Sequence, residues 1–198
     1  VLSVASEIFP LVKTGGLADV VGALPAALEA EGVAVRTLVP GYPTVLRALT
    51  GAREVARFDD LMGGAARLVS GTAAGHALFA IDAPHLYERP GNPYVDTRGR
   101  DWEDNVLRFA ALGRVAAEIG GGIVDEFVPD IVHAHDWQAG LAPAYLRFAT
   151  GRQPATVMTV HNLAFQGQFA AEHFAALGLP REAFSVDAVE YYGGIGLL

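Results

Sequence analysis

Three short polar clusters carry the side chains best suited to chemistry: Lys13-Thr14-Gly15-Gly16, His133-Ala134-His135-Asp136-Trp137, and His161-Asn162. Each follows or closes a short apolar run of strand type. Gly15 and Gly16 sit directly before a helical pattern, where backbone N–H groups can approach an anion. The helix start adds partial positive charge there and Lys13 a full one. On its physics alone the loop reads equally as a phosphate or pyrophosphate cradle and as a glycine turn beside a solvated lysine. Lys13 is the only lysine; the other basic residues are arginines.

His133 and His135 are two apart on a strand and so share a face, an arrangement that some metallohydrolases use for ligands. A dinuclear H-x-H-x-D-H pattern would need Asp and His where the chain has Trp137 and Gln138. The competing reading makes His133 a hydrogen-bonded core histidine and Asp136 the cap of a helix starting at Trp137. His161 and Asn162 follow a strand, so both belong to the same sheet edge as the other clusters. G-x-G-x-x-G, G-x-x-x-x-G-K-[ST] and G-x-S-x-G are all missing, and no acidic residue ends the second strand. A nicotinamide dehydrogenase, a P-loop ATPase and a serine hydrolase are therefore disfavoured.

The elements that must position these clusters alternate. Val1–Ala5 reads as a strand, Leu17–Glu31 as a helix closed by Gly32, and Val33–Val39 as a second strand, together a βαβ unit. Pro25 falls inside that helix and predicts a kink or break. Residues 54–82 hold three β-prone stretches split at Gly63-Gly64 and at Gly71 to Gly75, the simplest reading being a hairpin excursion ending in the strand His76–Asp82. Pro84–Arg100 reads as a long loop rich in aromatic and polar residues. Asp101–Ile119 reads as a helix with Val106, Phe109, Gly113 and Ala116 on its apolar stripe and Arg108, Arg114 and Glu118 off it. A strand Ile131–Ala134, a helix from Trp137 to Ala149 and a strand Ala155–Val160 imply a second βαβ unit. The expected fold is α/β, a Rossmann-like parallel sheet with helices on both faces in one domain. In such sheets ligands bind beyond the carboxyl ends of the strands, where all three clusters lie.

Composition narrows the partners. With 14 basic against 22 acidic residues the formal charge is −8, the wrong sign for tracking nucleic acid or an anionic membrane. There are no cysteines, hence no disulfide framework or thiolate nucleophile, which fits a cytoplasmic setting. No apolar run reaches the length of a membrane helix. The chain starts without Met inside an apparent strand and stops at Gly193-Gly194-Ile195-Gly196-Leu197-Leu198, so a piece of a longer protein is expected.

The run Ser6-Glu7-Ile8-Phe9-Pro10-Leu11-Val12-Lys13-Thr14-Gly15-Gly16-Leu17-Ala18-Asp19-Val20 resembles the opening of the ADP-glucose-dependent glycogen and starch synthases. The resemblance continues through Gly22-Ala23-Leu24-Pro25, Asp82-Ala83-Pro84-His85-Leu86-Tyr87, Asp104-Asn105, Asp130 to Trp137, Ala139-Gly140-Leu141 and Thr159 to Gln166, and is weakest at about positions 45 to 75.

The resemblance implies the N-terminal half of a two-domain GT-B glycosyltransferase that transfers glucose from ADP-glucose to the non-reducing end of an α-1,4-glucan such as glycogen, with retention and without a metal ion or other cofactor. By position it implies that Lys13, Gly15 and Gly16 border the donor diphosphate and that Asp19 lines the cleft near the transferred sugar. His161 would stand by the reacting glucose, with Lys13 sharing the catalytic role. Glu7, Tyr94, Asp136, Trp137 and Asn162 would meet the acceptor glucan, whose hydroxyls suit carboxylates and amides and whose ring faces suit aromatic side chains. It also implies a C-terminal nucleotide-binding domain, not contained in these 198 residues, that supplies further basic residues and a glutamate. Other readings stay open on the residues alone: a UDP-glucose-dependent or other GT-B enzyme, a glycan-binding module without catalysis, and a metallohydrolase built on His133 and His135.

Overall fold

The computed structural model describes residues 1–198. Its elements in chain order are β1 (Leu2–Val4), α1 (Gly16–Ala30), β2 (Arg36–Pro40), α2 (Pro43–Ala48), β3 (Thr50–Phe58), β4 (Ala66–Ala73), β5 (His76–Asp82), α3 (Pro84–Tyr87), α4 (Asn105–Gly121), β6 (Ile131–His135), α5 (Leu141–Phe148) and β7 (Ala155–Thr159), followed by three short strands, β8 (Gln168–Phe169), β9 (Glu190–Tyr191) and β10 (Gly194–Gly196). One seven-stranded sheet has the order β3-β4-β5-β2-β1-β6-β7, and the last three strands form a small sheet of their own in the order β8-β10-β9.

The five strands β5, β2, β1, β6 and β7 are parallel. β1 is flanked by β2 on one side and β6 on the other, so the sequence runs outward from β1 in both directions. The crossover from β1 to β2 and that from β6 to β7 therefore travel opposite ways. Right-handed connections then place α1 and α5 on opposite faces. The gap between the carboxyl ends of β1 and β6 is the topological switch point, the usual seat of a ligand in such sheets. The hairpin region forms part of the same sheet: β4 pairs antiparallel with β5, and β3 antiparallel with β4. The sheet is thus mostly parallel with an antiparallel margin, and the strand β4 continues through Gly71 before turning at Ala74-Gly75.

α1 runs unbroken past Pro25, whose side chain is buried. Proline removes one backbone hydrogen bond, and here the surrounding turns hold without a break at that position. α4 departs further from expectation, because it is buried nearly all round rather than along one stripe. Arg108, expected to face away from the core, is 1% exposed. Its Nε donates to Leu86 O at 2.8 Å, and its Nη1 donates to Pro93 O at 2.8 Å and Asn105 Oδ1 at 2.7 Å. Burial lowers the pKa of this guanidinium from its ordinary value. The arginine pins the 84–100 segment to the helix. α4 and α5 pack closely because Gly113 has no side chain: a Cβ there would lie 2.9 Å from the backbone nitrogen of Ala142. One contiguous cluster of buried apolar residues extends from Leu2 to Leu197, consistent with a single core. No helix is long and apolar enough to cross a membrane.

Candidate active-site cleft

A cleft of about 1080 Å³ opens at the switch point. Glu7, Gly15, Gly16, Tyr94, Asp136, Trp137, His161 and Asn162 all line it, so residues from one end of the chain to positions beyond 160 meet in one place. Lys13 and Asp19 are not among the side chains that wall it. They pair with each other, Lys13 Nζ lying 2.7 Å from both carboxylate oxygens of Asp19, and both are about half exposed. Cβ atoms built on Gly15 or Gly16 would meet nothing within 4 Å, so these glycines keep open space in front of the helix start rather than relieve a clash.

Glu7 follows β1 and is 2% exposed, yet its carboxylate is fully engaged. It accepts from the backbone N–H of Thr14, from the Thr14 hydroxyl at 2.6 Å, and from the Tyr94 hydroxyl. Three donors offset the cost of burying the charge. The Tyr94 hydroxyl also lies 2.9 Å from Ser6 Oγ. Burial, and then the negative charge of Glu7, push the Tyr94 pKa well above the ordinary tyrosine value. The tyrosine is therefore held as a donor. Thr14, whose hydroxyl and N–H both anchor the glycine loop, has no role in the sequence reading; its only signal there is its place between Lys13 and Gly15. Asn105, which donates to Tyr94 O at 2.9 Å, fixes the opposite end of this arrangement.

Asp136 does not cap the turn that follows it. Its Oδ1 instead accepts from the backbone N–H groups of His161 at 2.9 Å and Asn162 at 3.4 Å, tying the end of β6 to the segment after β7. The backbone at Asp136 has φ +58° and ψ 179°, a conformation that non-glycine residues rarely adopt and that costs on the order of 1–3 kcal/mol. A single turn at Trp137–Ala139 precedes α5, replacing the continuous helix expected from Trp137. Trp137 lies edge-on to Phe109 with ring centroids 5.0 Å apart, and 6.4 Å from Tyr94 and 6.0 Å from Phe169. Gly167, at φ +61°, passes so near that a Cβ would fall 2.5 Å from the indole. Only glycine fits there.

The three histidines of the site form a row. His133 Nε2 lies 2.7 Å from Thr159 Oγ1, the His133 and His135 rings stack with centroids 4.1 Å apart, and His135 Nδ1 lies 3.0 Å from His161 Nε2. Burial, then the neighbouring histidines, push His135 down to about 3, and burial also lowers His133. No group of three or more His, Asp or Glu side chains converges as metal ligands would. His133 and His135 are engaged with Thr159 and His161 instead.

Residues 1–198 match the family model described as the starch synthase catalytic domain. The chain belongs to this family. It is 63% identical over 198 residues to a protein named glycogen synthase 2 from Bradyrhizobium diazoefficiens, covering 100% of this chain and 41% of that one. It is 66% identical over 197 residues to a glycogen synthase of Rhodopseudomonas palustris, covering 100% of this chain and 40% of that one. Among solved structures it is similar to the catalytic domain of starch synthase IV from Arabidopsis thaliana bound to ADP and acarbose. That likeness has a TM-score of 0.81 at 25% identity and covers 99% of this chain and 41% of the other. This starch synthase family chain thus spans about two fifths of the length of the relatives it matches.

Proposed function

We propose that this chain forms the N-terminal wall of a glycogen synthase that transfers glucose from ADP-glucose to the non-reducing end of an α-1,4-glucan with retention of configuration. The observation that carries the reading is the convergence of Tyr94, Asp136, Trp137, His161 and Asn162 with the open helix start at Gly15-Gly16 around one cleft. A glucan offers hydroxyls and flat ring faces, and this wall offers a carboxylate, an amide and aromatic surface. Asp136 Oδ2 makes no hydrogen bond within the chain and is free to accept a sugar hydroxyl. Trp137 supplies ring surface. Glu7 acts as the buried anchor that shapes the acceptor side.

In the transfer the bond from the anomeric carbon to the diphosphate oxygen breaks, one to the acceptor oxygen forms, and the proton of the acceptor hydroxyl passes to the departing diphosphate. Positive charge develops on the sugar and negative charge on the departing ADP. His161 is assigned to the reacting sugar, and Lys13, with Gly15, Gly16 and Asp19, to the donor side, where a positive charge and a helix start favour the diphosphate. Lys13 alone is one positive charge held by one carboxylate. The remaining cations are assigned to a C-terminal nucleotide-binding domain of the same protein, which closes the cleft from the other side. A cysteine-free acidic chain suits a cytoplasmic location.

The test is glucose incorporation into glycogen from ADP-glucose, with UDP-glucose as competitor, using the full-length protein and the 198-residue chain in parallel. The full-length protein is expected to turn over and to prefer ADP-glucose, while the short chain is expected to be inactive. Turnover by the short chain would refute the division of labour between domains.

A further inference from the structure

Two consecutive residues of β6 and its exit hold the same residue from two sides. Asp136 accepts from the backbone N–H of His161, and His135 meets the His161 ring. His135 is 0% exposed, stacked against His133, with its Nδ1 3.0 Å from His161 Nε2 and its own Nε2 buried without a partner. A neutral imidazole has one N–H, so only two arrangements satisfy this contact. If His161 Nε2–H donates, His135 must carry its proton on Nε2, leaving a buried N–H with no acceptor. If His135 Nδ1–H donates, the unpartnered Nε2 is only a lone pair. Buried orphan N–H groups are the rarer and costlier defect.

We infer that His135 is a positioning residue that donates from Nδ1 to His161 and thereby fixes the neutral His161 ring as the Nδ1–H tautomer, with Nδ1 as its hydrogen-bond donor toward sugar oxygens in the cleft. His161 Nδ1 has no partner within the chain, so the donor remains free for a ligand. The opposite tautomer would present a lone pair at that atom and could only accept. The burial that keeps His135 uncharged supports the assignment, because a neutral His135 has a single proton to place. His133 and Thr159 complete the support: the hydrogen bond between them orients the ring on which His135 stacks. The proposed use of the donor rests on the glucosyltransferase reading; the tautomer itself does not.

The experiment is long-range proton–nitrogen NMR of the full-length protein labelled with ¹⁵N-histidine, in wild type, His135→Asn and His135→Leu, alongside kinetics. The Asn amide N–H occupies the place of Nδ1, whereas Leu removes the donor. With spectra recorded at alkaline pH, where imidazole is uncharged, wild type and His135→Asn are expected to show the His161 proton on Nδ1, and His135→Leu to revert toward the Nε2–H form that free imidazole side chains prefer. The kcat of His135→Leu is expected to fall about tenfold or more, with His135→Asn recovering most of it and donor KM little changed. An Nε2–H signal for wild-type His161, or His135→Asn no better than His135→Leu in kcat, would overturn the assignment. Should His135→Leu not fold, the wild-type and Asn spectra decide alone. A wild type without glucosyl transfer would count against the proposed function, and the tautomer would still be read from its spectrum.

Discussion

Lys13 grips both carboxylate oxygens of Asp19 at 2.7 Å, and the pair stands half exposed next to the two glycines that open α1. Exposed ion pairs contribute little to folding, about 0–1 kcal/mol. Lys13→Ala in the full-length protein is therefore expected to shift stability by less than about 1 kcal/mol while lowering kcat/KM for ADP-glucose by about tenfold or more, because the lysine is assigned to diphosphate charge. Denaturant melts and initial-rate kinetics measured on one preparation separate the two effects. A large stability loss with unchanged kinetics would make Lys13 structural.

Asp136 combines an unfavourable backbone conformation with two accepted backbone hydrogen bonds. Asp136→Asn retains an acceptor oxygen and is expected to stay within about 1 kcal/mol of wild type while raising KM for glycogen. Asp136→Ala loses the acceptor and leaves the N–H of His161 unpaired, at a cost of about 1–3 kcal/mol. The comparison of the two variants in urea and in glycogen titrations checks this. Equal stabilities for both would show that the backbone bonds matter little.

Gly167 is expected to tolerate no side chain. Gly167→Ala sets a Cβ against the Trp137 indole and strains a positive φ, together about 2 kcal/mol. Displacement of the indole should be visible as a change in tryptophan fluorescence and as a several-fold rise in KM for glucan, with KM for ADP-glucose nearly constant. Wild-type fluorescence in a folded Gly167→Ala variant would contradict the packing.

Acid and alkali should weaken the fold by different groups. His135 is pushed from 6.5 down to about 3, so the unfolded chain binds a proton that the folded chain refuses between those values. Its contribution is present above pH 6.5 and is lost as pH falls toward 3, with a slope of up to about 1.4 kcal/mol per pH unit. His133 shifts in the same direction. At the other extreme burial raises the pKa values of Tyr42, Tyr87, Tyr94 and Tyr145, so the folded state keeps protons that the unfolded state releases. Stability therefore declines as pH rises above about 10. Chemical denaturation across pH measures both limbs, and His135→Asn should flatten the acid one.

Much of this architecture was legible in the pattern of residues. α1 begins one residue before the helical spacing from Leu17, and the clusters at Lys13, Asp136 and His161 fall at one sheet edge because alternation of strand and helix keeps these strands parallel, while the strand order that makes them neighbours is seen only in the fold. Arg108 departs from expectation, since one-face reasoning assigns a charged residue to solvent. Leu112, Val115 and Ile119, at four, seven and eleven residues on, mark its face as apolar too. The partner of Asp136 was hidden because a cap is expected within its own turn, whereas the actual donors come from residues 161 and 162. The small sheet at the end of the chain leaves no mark in the sequence because β8, β9 and β10 are only two or three residues each, too short to display a period. The engagement of Glu7 likewise depends on Tyr94, a contact spanning 87 positions that local spacing cannot reveal.

That carboxylate has a thermodynamic consequence. Glu7 holds Thr14 of the loop assigned to the donor with one set of bonds and Tyr94 of the loop assigned to the acceptor with another, so loosening one loop disturbs the anchor of the other. A ligand that stiffens one loop lowers the entropic cost of ordering its neighbour, and thermodynamic reciprocity requires the converse to hold equally. Donor and acceptor should then bind with positive cooperativity transmitted through a single buried charge, although no atom of one substrate need touch the other.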